Sequence, residues 1–409
     1  MSRKRTKAKS SQTAAKAPVR KQPGPAEVTL KRRLLRAAPA LVILIFITVL
    51  LSRFGTLHDL ETAFLDMQLR LSSAPERSDV AIVNITDDDF KKLFGGERPL
   101  NPQLLSQLIE AIAKGGPAVI GVDIDTSAEK FKDFRFGQGW PPIVWEREVK
   151  ELPENIEAKE KPEPIDVLGG QDPALNASSG LPLLIEDGED KVTRRYRRFI
   201  ENARDPNEPW PSFAWAVVSR YGRIPGGPVE PFRDRFIGFA GDREGSHRIN
   251  IPAAAVLEQS KSWTKDQSPL SRKIVLLGGS YGEDWHETPL GRMQGVDILA
   301  YVLETELRGG GAAVPPKYIF YVLEILSGFS IVILFHAVRF SRALLLSLVA
   351  APLLALVCGL VAFRSFSGWA FFAPLLFGLV LYEAFVEYRN HVLVEKYAEI
   401  RGETPDKHG

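Results

Sequence analysis

Three adjacent aspartates, Asp87, Asp88 and Asp89, follow the apolar run "VAIVNIT", and a second run, "AVIGVDID", ends in Asp123 and Asp125. Carboxylates gathered at strand ends are ligands for hard cations. They are also acid/base groups when their environments differ. A third group, Asp284, His286 and Glu287, follows the glycines of "LLGGSYGEDWHETPLG". That stretch has no G-x-x-x-x-G-K-[ST] and no complete G-x-G-x-x-G, and no G-x-S-x-G occurs in the chain, so phosphate cradling and a nucleophile turn have no support. One histidine beside acids lacks the paired Cys or His spacing of a zinc site. Aspartate is also an ordinary helix cap, and Asp88 or Asp89 is placed to cap a helix beginning at Phe90. The carboxylates therefore read as caps or as the lining of a ligand or cation cleft. Catalysis is the weakest reading, no cofactor is called for, and the sequence leaves a metal undecided.

The elements that position these residues have clear signals. "VAIVNIT" is a β-branched run of the kind found in buried strands. In "NPQLLSQLIEAIAKGG", Asn101 is an N-cap, Pro102 the first helical residue and Gly115 the stop, and Leu104, Leu105, Leu108, Ile109 and Ile112 form the buried stripe. With "AVIGVDID" this makes a strand–helix–strand unit whose strands run parallel. The Asp187-Gly188 pair of "EDGED" marks a hairpin. Its second strand carries "RRYRR", Arg194 to Arg198, either a solvated strand face or a site for an anionic ligand or lipid headgroup. "WPSFAWAVVSRYG" is a helix stopped by Gly222. Residues 131–181 are rich in Pro, Glu, Lys and Gly, and apart from the strand-like "PPIVWERE" most of them read as a solvated insertion. "KIVLLGG" and the residues after it run strand, loop, helix. The expected class is an α/β domain with a mixed, partly parallel sheet.

Membrane signals frame that domain. Residues 1–36 carry twelve Lys or Arg against one acid, a composition that cannot bury a core and predicts a disordered basic tail. An apolar run at 37–53, uncharged up to its closing Arg53, follows, and three more apolar runs lie at 317–338, 343–363 and 369–388, the last with Glu383 and Glu387 near its end. By the positive-inside rule the basic tail stays cytoplasmic, residues 54–316 lie outside, and the tail at 389–409 returns inside. The expected protein is a multi-pass one of a bacterial inner membrane, with one span before the external domain and three after it. That domain, of about 260 residues, is long enough for a sizeable core. It has no cysteine, because the single one is Cys358, so disulfides do not hold it. The basic tail is expected to touch anionic membrane lipid. Nucleic acid lies on the wrong side of the membrane for the external domain. Leu57, Leu60, Phe64, Met67 and Leu71 recur at steps of three and four, a helical seam that packs either on its own domain or in a dimer.

In order along the chain, "LDMQLRL", "VAIVNITDDDF", "GGPAVIGVDID", "IEDGEDKVTRRYRRF", "WPSFAWAVVSRYG", "KIVLLGGSYGED" and "TPLGRMQGVDILAYVLETEL" resemble the second type of CHASE domain. This is an extracytoplasmic sensory module associated with bacterial histidine kinases and nucleotide cyclases. The resemblance covers about Leu57 to Leu307. It departs from the family at "GGERPLNPQ", which keeps only Pro99 of a tryptophan-proline-tryptophan turn, and in the 131–181 insertion. It implies a sensor, for which the strand-end residues read above, Asp87, Asp88, Asp123, Asp125, Asp284 and His286, are the candidate ligand-binding set. Asp66 and Arg70 in the first motif, and Arg292, Gly295 and Asp297 in the last, are the candidates for transmission. Members commonly carry an output domain after the last span, and the 21 residues here read as too short for one. The expectation is a sensor, not an enzyme, that homo-oligomerises and signals through a separate cytoplasmic or membrane output protein. The alternatives are an envelope scaffold and, last, a cation-dependent hydrolase using Asp87, Asp123 and His286.

Overall fold

The computed structural model describes residues 58–70, 77–148, 164–170, 177–188, 190–202, 205, 207–222, 232–240, 247–282 and 284–314. Both tails and all four apolar runs expected to span a membrane lie outside the described residues. Among those described, no helix is long and apolar enough to cross a membrane.

Helix α1, His58–Arg70, comes first. Strand β1, Val80–Ile85, passes directly into the short helix α2, Asp87–Lys92. Helix α3, Pro102–Lys114, starts at the Asn101 cap and stops at Gly115 as its sequence requires, and leads to β2, Val119–Asp123. Then come β3, Ile143–Glu146, and β4, Ala177–Gly180. A hairpin follows, of β5, Leu184–Glu186, and β6, Thr193–Arg197. The short pair β7, Phe199–Ile200, and β8, Trp210–Pro211, precedes α4, Phe213–Tyr221. Ser212 caps α4 and Gly222 ends it at φ 79, a backbone conformation that glycine adopts without steric cost. The chain continues through β9, Asp234–Phe236, β10, Ile249–Pro252, α5, Ala253–Gln259, and β11, Ile274–Gly279. It closes with β12, Trp285–Thr288, β13, Gly291–Gln294, and α6, Gly295–Leu307.

Six strands form one sheet in the order β10-β1-β11-β2-β3-β4, all parallel. The antiparallel pairs expected of a mixed architecture are in three small separate sheets, β5-β6-β9, β7-β8 and β12-β13. Parallel strands are buried on both faces, and two cores result. One lies under α3 and α5 and includes Leu105, Ile109, Ile120 and Trp145. The other, under α1, α4 and α6, includes Leu69, Val144, Val217, Leu276 and Tyr301.

Three expectations are corrected. Within residues 131–181, of which 149–163 and 171–176 lie outside the described residues, the strand expected in "PPIVWERE" is β3, and residues expected to be solvated instead supply β4 and bury Phe131 and Phe134, the latter against Trp145. The run after "KIVLLGG" contains the hairpin β12-β13, not a plain loop. Helix α2 begins at Asp87, with Thr86 as its cap and Asp89 completing a reciprocal capping box, so the first-turn aspartates precede Phe90 inside the helix.

Candidate functional site

Strands β2 and β3 run parallel with Val122 opposite Trp145, which sets Asp123 level with Glu146 at their carboxyl ends. Side chains alternate along a strand. Val119 and Val144 lie in the core under α6, so Asp123 and Glu146, four and two residues on, point to the same side of the sheet. The carboxyls hydrogen-bond as a pair. Burial raises both, most strongly Glu146, whose carboxyl is lifted well above the usual range by burial and then by the Asp123 charge. Among the described residues no donor reaches the buried Oε2 of Glu146. Next to Asp123, β11 carries Gly278. A Cβ there would lie 2.6 Å from Val296 and 3.2 Å from Asp123 Oδ2, so only glycine lets α6 and the carboxyl come this close.

These groups form the floor of a cavity of about 960 Å³ at the carboxyl edge of the sheet, the edge where open α/β sheets commonly bind ligands. Asp125, Asp284 and His286 line it as well. His286 lies 3.0 Å from Asp284 and 3.2 Å from Glu186 of β5. That hydrogen bond to Asp284 lowers the aspartate and raises the histidine. Asp125 Oδ1 accepts from Ser127 N at 2.8 Å. On one rim Tyr281 stacks on Phe90 at 4.3 Å with the Arg98 guanidinium 5.2 Å over its ring, and burial pushes its hydroxyl up to about 12. The opposite wall is β6, which contributes Arg195 and Arg197. Both are paired with acids, Arg195 with Asp187 and Asp234, and Arg197 with Asp234.

Of the expected cleft residues the structure brings together Asp123, Asp125, Asp284 and His286. Asp87 and Asp88 are not among them. Strand β11 lies between β1 and β2, which sets the two aspartate clusters two strand spacings, about 9–10 Å, apart. Asp87 and Asp88 are exposed in the first turn of α2, where Asp88 pairs with Lys92 at 2.9 Å. No group of three or more His, Cys, Asp or Glu among the described residues is arranged to hold a metal ion. Glu146 was not foreseen. The only trace of it in the sequence is a carboxylate at the end of "IVWE", which matters once β3 is known to neighbour β2.

A family model for the CHASE2 domain matches residues 41–338. The chain belongs to the CHASE2 family. CHASE2 domains are extracytoplasmic sensory domains. No curated protein and no solved structure matches the chain.

The residues flanking the cleft in this CHASE2 domain tie it to α1 and α6. Asp66 of α1 accepts from Arg194 at 2.6 Å, and Arg194, 1% exposed, also binds Asp187 and Asp190 of the hairpin turn. Arg198 makes a two-pronged contact of 2.8 Å per bond with Glu306 of α6, and the Tyr196 hydroxyl donates to the same carboxylate at 2.5 Å. Burial pushes the Tyr196 hydroxyl well above its ordinary value, and Glu306 is 0% exposed. "RRYRR" is therefore not a solvated face, because its positive charge is matched by acids of α1, α6, β9 and the hairpin turn. Gly295 starts α6 where a Cβ would come within 2.3 Å of Asp284 Oδ2. Asp297, in the first turn, is raised by burial while Arg248 opposes the shift. Arg292 belongs to β13, where it lies exposed over Trp285 at 5.2 Å and does not open the helix. Arg70 is exposed in the last turn of α1.

Proposed function

We propose that this chain is a bacterial inner-membrane sensor whose cleft detects a small-molecule cue and biases the arrangement of α1 against α6. The observation that carries the reading is the alternation along one strand. Arg195 and Arg197 line the cleft, while Arg194, Tyr196 and Arg198 grip Asp66 of α1 and Glu306 of α6. A cue that draws on the outward arginines, or on the acids they pair with, moves the same backbone that holds both helices. In sequence, α1 follows the first apolar run and α6 precedes the second, so both lie on the path from the cleft to the bilayer. The cue must bind two arrangements unequally, since a ligand with equal affinity for both shifts nothing. A homo-oligomer and a separate output protein complete the proposal.

Asp123→Lys places a fixed cation in the cleft and imitates occupancy by a charged cue. In full-length protein with Cys358→Ser, spin labels at positions 63 and 308 should give a different distance distribution in the Asp123→Lys form than in its parent, while both keep the same circular dichroism spectrum. An unchanged distribution in a folded variant contradicts the coupling. Loss of the folded spectrum assigns Asp123 a structural role instead.

A further inference from the structure

Glu146 has no part in the clamps on α1 and α6, and its surroundings define a chemistry. Its buried Oε2 meets no donor, and its carboxyl faces the Asp123 carboxyl on the cavity floor. Arg195 and Arg197 of the opposite wall are already matched by Asp187 and Asp234, and of the other two cations in the lining Arg98 lies over the Tyr281 ring and Lys191 is exposed in the hairpin turn. Asp284 holds His286, and Asp125 accepts a backbone N–H. The unmet demand in the cleft is thus for hydrogen-bond donors carrying positive charge, placed between Asp123 and Glu146. A bare divalent cation fits poorly, because no three ligating groups converge among the described residues. An ammonium group suits the pair, since it has three donors and one charge on a compact head. The cavity is at the upper end of small-molecule size, and Leu184, Ile185 and Leu299 add apolar lining suited to a methylene chain.

We infer that the cleft binds a small aliphatic amine, with its ammonium group between the carboxyls of Asp123 and Glu146 and its chain against Leu184, Ile185 and Leu299. The inference rests on reading this cavity as the sensory cleft and names the class of its cue. Burial raises both carboxyls, so the pair holds a proton to higher pH than free carboxylates do, and the incoming ammonium displaces that proton into solvent. Binding therefore releases a proton, and its measured heat depends on the buffer that takes the proton up.

The test is calorimetry on the full-length protein in detergent at pH 7, with putrescine and spermidine as probes, in two buffers of different ionisation enthalpy. Saturable binding of at least one amine with buffer-dependent heat is expected. Glu146→Gln, which keeps the shape and the fold as checked by its melting curve, should remove the proton release and weaken binding on the order of tenfold, as loss of a charge-assisted bond does. Asp88→Asn, an exposed carboxylate outside the cleft, should leave binding nearly unchanged. Absence of saturable binding by both amines overturns the inference, as does binding indifferent to Glu146→Gln. Glu146-dependent binding of calcium chloride with no amine binding replaces the amine by a metal. Amine binding without a change in the α1–α6 distance leaves the ligand class standing and contradicts the sensor reading. A distance change in Asp123→Lys without amine binding removes only the ligand class.

Discussion

Burial and then the Asp123 charge raise the Glu146 carboxyl well above its ordinary range, and Glu146→Gln removes that titration without removing the side chain's volume. A carboxyl raised in the folded state contributes stability that is complete below its unfolded pKa, about 4.3, and is lost as pH rises through the folded value. The melting temperature should therefore fall as pH is raised through that window, and the fall should be smaller in Glu146→Gln, which stays neutral throughout. Equal slopes in the two proteins would show that Glu146 is not protonated in the fold. His286 acts in the same direction at higher pH. Its raised value, caused first by the bond to Asp284, contributes stability below about pH 6.5 that is lost as pH rises through the folded value. His286→Gln should flatten the pH profile above 6.5 and, by removing the bond that lowers Asp284, should also lessen the loss of stability as pH falls through the acid range. At this scale the sequence showed Asp123, Asp125, Asp284 and His286, because each stands next to a strand run that can be recognised locally. It grouped Asp87 and Asp88 with them wrongly, since the insertion of β11 between β1 and β2 comes from a segment about 190 residues later in the chain.

Among the elements, α6 is the one most constrained by its surroundings. It buries two glutamates, Glu304 against Ser78, His247 and Arg248, and Glu306 against Tyr196 and Arg198. Removing one member of a buried ion pair strands the other charge, a loss of about 3–5 kcal/mol. Glu306→Gln should destabilise the domain by that order in denaturant unfolding. Asp66→Asn should cost clearly less, because Asp187 and Asp190 still hold Arg194. Equal costs would mean that α1 depends on this contact as fully as α6 does on its own. Gly295→Ala forces a Cβ against Asp284 and should cost about 1–3 kcal/mol, the usual range for overpacking. Both ends of α3, the stop of α4 and the β5-β6 hairpin were legible because Asn101, Pro102, Gly115, Gly222 and Asp187-Gly188 carry local chemistry. The hairpin β12-β13 was not, since its turn at Pro289-Leu290 has none of the usual Asn-Gly or Asp-Gly signals. Strand β4, "ASSG", is too short and polar to show a strand pattern, and only its pairing with β3 makes it one.

For the whole molecule, the sheet is closed on both faces while one antiparallel strand, β6, touches the cleft and both flanking helices. Such a layout suits a switch, because packed interfaces change between discrete arrangements instead of deforming smoothly. Along α1 the buried face carries Leu65 and Leu69 and leaves Met67 38% exposed. Helical steps of 100° put Met67 of the expected seam on the opposite side from those two leucines.

The measurement that tests the account most directly is affinity purification of the full-length protein from gently solubilised membranes, with co-purifying proteins identified by mass spectrometry. A form ending at Arg389 and the Asp123→Lys variant are carried in parallel. The account predicts a kinase, cyclase or regulator recovered with the full chain, lost on truncation and altered in amount by Asp123→Lys. Recovery of only the protein itself, or of an external envelope protein, by all three forms would contradict it and leave a scaffold in its place.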